Sequence, residues 1–394
     1  MKRRVLFSAL AVALVAMVGC SKDEPVENFS PENAIQFGTY VGRDASTRAS
    51  VIDLTGLQSN DSGFGVFAYY TGREDFEGDE VPNFMNNQKV TYSGSAWTYS
   101  PLKYWPNNVG EKVTFLAYAP YHDNVKVNTD ATTIDYTVDT DVLSQEDLLY
   151  LDQSNSGING TGGTINMTKP GVNDKVRFHF AHALSRIGYT AELLVDVVND
   201  DETGEDDDAE QNPGDLDRNT TITINSVKLI GKFDNEATLD LIGGVWSYGA
   251  AATAPVTYEL NSTNNLQNNI FTGNSASDDY TDVNQRVINM SNSYIMIIPQ
   301  EMGTLDANTN ELTEGTGIKI EVDYNVVTTD GKLAGGEIDI HNVITSEEFY
   351  FDFEQGKAYT FKLHLGMTSV KIEATMTAWD EDTDDTAVNV PINK

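Results

Sequence analysis

Apolar residues recur at every second position through most of this chain. Val113, Phe115, Ala117 and Ala119 alternate with other residues across 112–120, and Val176, Phe178 and Phe180 alternate with Arg177 and His179. Ile318, Ile320, Val322, Tyr324 and Val326 share one face, while Lys319, Glu321, Asp323 and Asn325 share the other. Tyr359, Phe361, Leu363 and Leu365 oppose Thr360, Lys362 and His364, and Val370, Ile372, Ala374 and Met376 repeat the pattern. A period of two marks strands with one buried and one wet face. Residues 64–70 and 294–298 are apolar on both faces and suit central strands. In 221–230 the apolar phase slips between Ile224 and Val227, which predicts a bulge. Helical periodicity with caps is absent; 141–151 is the best candidate for a short helix. Gly, Asn and Asp cluster between the strands, as in 155–163 and 329–331. Many short strands with frequent turns predict an all-β chain of sandwiches. Its length favours two of them, with a boundary near 182–186.

The first residues are not part of that fold. Lys2, Arg3 and Arg4 precede an apolar run from Val5 to Val18, then Gly19 and Cys20. A basic start, a short greasy core and small residues at the cut make a secretion signal (residues 1–19), and the run is shorter than the roughly 20 residues of a spanning helix. Cys20 is the one cysteine of the chain, so disulfides within the chain and thiolate metal sites are excluded. The tripeptide ending at Cys20 resembles a bacterial lipobox, with Met17 where Leu is usual; the resemblance implies that Cys20 is lipidated. Ser21, Lys22, Asp23 and Glu24 resemble the acidic export tag of surface lipoproteins. The net charge of −35 makes a nucleic-acid partner untenable. Half of the residues in 196–217 are acidic. That segment reads as a solvated hairpin insert; its carboxylates also suit calcium, but no known loop spacing is present.

The two ends of the fold mirror one another. Residues 34–41 alternate, with Ile35, Phe37, Thr39 and Val41 on one side. A polar stretch follows, in which small residues surround Arg48, an accessible target for an arginine-specific protease cutting between Arg48 and Ala49. Such a cut severs the first strand from the rest. At the far end an acidic spacer, 380–385, precedes Val388, Val390 and Ile392, which point one way and have no evident home in their own sandwich. Pro391 limits the ladder that this tail can form. Removing an inner strand leaves unpaired edges and an open apolar groove, which templates a replacement. A terminal strand of a neighbour supplies one; repeated head to tail, the exchange makes an open filament.

With these features in order, the chain resembles the Bacteroidetes fimbrillins, subunits of type V pili. The resemblance rests on Cys20, on Ile35-Gln36-Phe37, on Ser46-Thr47-Arg48-Ala49, and on 64–69. It rests also on Tyr104-Trp105-Pro106, on 113–120, on 176–184, on Ile297-Ile298-Pro299-Gln300 and on Gly356-Lys357-Ala358-Tyr359. It implies two tandem transthyretin-like β-sandwiches, here 49–184 and 185–394, after a lipidated propeptide of 20–48. It implies outer-membrane export, cleavage at the arginine matching Arg48, and polymerisation with other pilin subunits by strand exchange, in the service of adhesion. The displaced strand is then Ile35, Phe37, Thr39 and Val41, and the donor Val388, Val390 and Ile392. A tip adhesin, or a monomeric glycan-binding surface lipoprotein of the same fold, is the alternative.

Catalysis finds no support in the residues. No nucleophile elbow, phosphate loop or dinucleotide fingerprint is present, and no cofactor is expected. His179 and His182 are three apart on a strand and so face opposite ways; His182 shares the side of Phe178 and Phe180 and reads as a satisfied core residue. Trp97, Tyr104 and Trp105 could form a sugar platform, but packing in the core is the stronger reading.

Overall fold

The computed structural model describes residues 34–41, 52–59, 63–171, 174–193, 220–261, 266, 268–272, 287–289, 294–329, 335–366, 368–378 and 386–388. Cys20, Arg48, Ala49, Val390, Ile392 and the acidic segment 196–217 lie outside the described residues. The elements used below are, in chain order, β1 (Phe37–Val41), α1 (Leu54–Ser59), β2 (Phe64–Gly72), β3 (Met85–Tyr92) and β4 (Lys112–Ala119). They continue with β5 (Leu149–Leu151), β6 (Val176–His182), β7 (Ser185–Leu193), β8 (Thr220–Gly231) and β9 (Lys319–Thr329). The last are β10 (Glu337–Thr345), β11 (Lys357–Leu365), β12 (Val370–Ala378) and β13 (Thr386–Val388).

The alternating windows become strands, and the chain is all-β apart from short helical turns. In the first half, β3, β2, β4, β5 and β6 lie side by side in one sheet, with β1 added in parallel on β6. In the second half, β7, β11, β12 and β13 form one sheet, and β8, β9 and β10, with 256–261 flanking β8, form another. Thr133–Thr137 of the first half pairs antiparallel with Glu236–Asp240 of the second and ties the halves together. The bulge expected in 221–230 is present, as a register shift against β9 between Ile224 and Ser226.

Burial explains the two-faced strands. One core cluster, confined to the first half, gathers Phe64, Val66, Val113, Phe115, Phe178 and Phe180. Phe67, Tyr69, Leu116 and Tyr118, on the opposite faces of β2 and β4, join a second cluster that runs on through Ile222, Ile320 and Phe361. The sheet of the first half is therefore packed on both sides. This corrects the reading of 112–120, which is buried on both faces rather than half-wet. Gly65 lets β2 lie that close, since a Cβ there would stand 2.4 Å from the ring of Tyr118. Ile295–Ile297 is fully buried as expected, but among the described residues it pairs only with β7, as a short strand off the main path of its sheet.

The helix expected at 141–151 does not form. Asp141 caps a single 3-10 turn at Val142–Ser144 by accepting from the N–H of Leu143, and the chain then extends into β5. Leu148, Leu149 and Leu151 reach the core through that extension. The helix that does form, α1, went unanticipated because it is only six residues long. Asp53 starts it, its Oδ1 accepting from Gly56 N–H at 2.5 Å and its carbonyl from Leu57 N–H at 2.9 Å.

Candidate functional site: the first strand and its slot

The first strand is held by backbone on one flank and by side chains underneath. Phe37 to Val41 pair in parallel register with Val176 to Phe180 of β6. Just ahead of β1, the N–H of Ile35 donates to the carbonyl of Lys103 at 2.9 Å, and Ala34 bridges Tyr104. The alternation seen in the sequence sets the inward side: Ile35, Phe37 and Val41 are 1%, 2% and 2% exposed, and Thr39, between them, is half-buried. From the sequence this segment is expected to be an inner strand with ladders on both sides. Among the described residues it has one ladder, on β6, and a single bridge at its start on the other flank. Its departure therefore bares one five-residue strand edge, with the apolar slot beneath.

That slot is aromatic. The ring of Phe37 lies 5.0 Å from Phe178, 5.4 Å from Tyr99, 5.9 Å from Phe115 and 6.2 Å from Phe64, centroid to centroid. Burying each of Ile35, Phe37 and Val41 contributes about 1.5–3 kcal/mol, so the strand covers a surface that water would penalise heavily. Tyr99 contributes from below, its hydroxyl donating to the carbonyl of Ile35 at 2.9 Å. Burial pushes its pKa up to about 12. On the outer side Tyr40 is exposed and stacks on His179, 4.9 Å between centroids. Tyr99 escaped the sequence reading; its one signal is its place two residues after Trp97, in a stretch that alternates.

After Val41 the chain next enters the described residues at Ile52, whose N–H donates to Oδ2 of Asp147 at 3.0 Å. Asp147 is buried and sits 2.9 Å from Nδ1 of buried His182. His182 is thus a paired core histidine, and His179, on the other face, lies 3.6 Å from Asp152. Since β1 precedes residues 42–51, every covalent path from it to the rest of the fold runs through that stretch, which contains Arg48.

The start of the tail, expected to have no home in its own sandwich, has one. Thr386 to Val388 pair antiparallel with Met376 to Ala374 on the free side of β12. The candidate sugar platform dissolves into the core: Trp97 packs 4.9 Å from Phe64, and Trp105 packs 5.8 Å from Phe115. Among the described residues no group of three or more His, Cys, Asp or Glu side chains could hold a metal ion. No helix among them is long and apolar enough to cross a membrane.

An all-β chain of stacked sheets, whose leading strand seals an aromatic core, is the class of protein that these features define. A family model described as fimbrillin-like matches residues 47–379, and the chain belongs to that family. β1 lies ahead of the matched residues. Fimbrium subunit Fim1C of Phocaeicola vulgatus is 27% identical to the chain, over 95% of it and 96% of that relative. A fimbrial protein from Bacteroides vulgatus, solved as a crystal structure, superposes with a TM-score of 0.58 at 22% identity, covering 88% of this chain and 99% of that one. That likeness shows the shared fold.

Proposed function

We propose that the chain is a structural subunit of a type V-like fimbrium that assembles with other pilin subunits and serves cell adhesion. The observation that carries this reading is the buried first strand, joined to the fold only through the stretch that holds Arg48. Family membership and the name of the full-length relative support the fimbrial role. In this account the protein is exported as a lipoprotein through Cys20 to the outer face of the outer membrane. It folds as two tandem transthyretin-like sandwiches, 49–184 and 185–394, the second with the acidic insert 196–217. An arginine-specific protease cuts between Arg48 and Ala49. Ile35, Phe37, Thr39 and Val41 then leave the slot, and Val388, Val390 and Ile392 of a neighbour replace them.

One observation favours the alternative of a tip adhesin or a monomeric surface lipoprotein. Thr386–Val388 pairs within its own chain, as a subunit that donates nothing would have it. Under the shaft reading that contact is a resting place, three residues long, which the tail leaves on assembly. The test treats purified precursor with an arginine-specific protease and seeks ladders that resist mild detergent. Deleting residues 388–394 abolishes the ladder of a shaft subunit. A ladder that survives the deletion rejects the tail as donor, and no ladder from the intact chain favours the tip.

A further inference from the structure

The nine residues of β10 border their sheet, with β9 on one side and, among the described residues, no strand on the other. Pairing with β9 fixes which way the side chains of β10 face. Ile338, Ile340, Asn342 and Ile344 stand opposite Thr328, Val326, Tyr324 and Val322, and the last three of these are buried in the core. Directly opposed residues share a face, so Ile338 and Ile340 belong to the core side of the sheet. They are nonetheless 46% and 38% exposed, and Val343 on the other face is 53% exposed. The inner face of the sheet runs on past the layer that covers it.

Soluble proteins blunt such borders by shortening them, bulging them or covering them. β10 runs nine residues against β9 with no register shift. It carries acidic groups at Glu337 and Asp339, both on the outer face. The sequence of the strand says which partner those groups tolerate. With β10 laid antiparallel on a second β10 in full overlap, residues whose numbers are symmetric about His341 come opposite. Ile338 then meets Ile344, Glu337 meets Thr345, Asp339 meets Val343, and His341 meets itself. No carboxylate stands opposite a carboxylate, whereas sliding by four residues in one direction sets Asp339 against Asp339 and leaves only 337–341 paired. Each His341 keeps Asp323 of its own chain, 2.9 Å from its Nε2.

We propose that β10 is a self-association edge, through which two copies of this chain pair antiparallel about a two-fold axis at His341. The pairing joins two sheets into one and sets Ile338 of each copy against Ile344 of the other, with Ile340 opposite Asn342. It is isologous and closes on itself. A single strand pair buries less than a stable dimer needs, so the solution dimer is weak. In a fimbrium, where the contact repeats along the filament, the same edge bundles filaments side by side; that consequence rests on the fimbrial reading, and the dimer does not. A net charge of −35 opposes any contact between copies, and the repulsion is screened beyond about 10 Å at 0.1 M salt. Association through backbone and isoleucine therefore strengthens as salt is raised.

The test is disulfide capture in the exported chain carrying Cys20→Ser, so that no native thiol remains. In the paired strands the two His341 Cα atoms stand about 4.5–5.5 Å apart, within disulfide reach. Under mild oxidation, His341→Cys is expected to give covalent dimer at least ten-fold faster than Asp339→Cys, whose two copies lie four residues apart along the strand. Adding 0.5 M salt should speed it further, and adding Ile340→Lys should remove the advantage while the thermal melt stays cooperative. Equal rates for the two cysteine variants, or a rate indifferent to Ile340→Lys, overturn the proposal.

Discussion

Phe37 does at the residue scale what the whole account needs from β1. Its ring touches Phe64, Tyr99, Phe115 and Phe178, so truncating it leaves a void that four rings cannot close. Phe37→Ala should cost about 3–5 kcal/mol of unfolding free energy, read from denaturant midpoints, whereas Tyr40→Ala, on the exposed side, should cost about 1 kcal/mol or less. Tyr99 gives a second handle through pH. Its folded pKa, near 12, lies above the ordinary value of 10 for an unfolded tyrosine. An acid with a raised folded pKa contributes stability that is whole below pH 10 and drains away as pH rises towards 12. The wild-type chain should therefore lose more stability between pH 10 and 12 than Tyr99→Phe does, in melts followed by circular dichroism. Equal losses would remove Tyr99 from the set of groups that couple alkali to unfolding. Ile35, Phe37 and Val41 were legible in the sequence because alternation alone sets which side is buried. Tyr99 and Asp147 were not, because their partners, Ile35 and Ile52, lie 64 and 95 residues away along the chain.

Elements divide the same way. Long alternating strands such as β9 and β11 could be read directly, since one face of each meets a core and the other meets water. Period two also foretold the bulge in β8, as a slip in phase. It failed at 141–151, where a run of mixed polar and apolar residues fits a helix as well as a strand. The deciding facts there are distant: Gln145 accepts from Met296 N–H at 2.7 Å, and Asp147 accepts from Ile52 N–H. These bonds hold the chain extended. The ladder count of β1 was also beyond the sequence, since a buried side-chain face does not reveal how many backbone edges are paired. The backbone N–H of Ile52 rests on Asp147, whose carboxylate also lies against His182. Asp147→Ala removes the acceptor of Ile52 N–H and the carboxylate beside buried His182, and should destabilise the fold by about 1–3 kcal/mol, measured by urea titration.

For the whole molecule, the two halves are not independent beads. The second core cluster includes Phe67 and Tyr118 from the first half beside Leu229 and Phe353 from the second, and a small sheet crosses between them. The slot under β1 lies in the other cluster, which the first half builds alone. Loss of β1 would therefore open one core and leave the shared one closed, which suits the proposed exchange of that strand in a subunit that stays folded. The central claim is that the emptied slot, and not general stickiness, drives assembly. A synthetic peptide of residues 34–41, added in excess to the chain after arginine-specific cleavage, tests it most directly. The account predicts that the peptide refills the slot and suppresses the detergent-resistant ladder, and that the same peptide with Phe37→Ala does not. A ladder that forms unhindered in the presence of the peptide would contradict it.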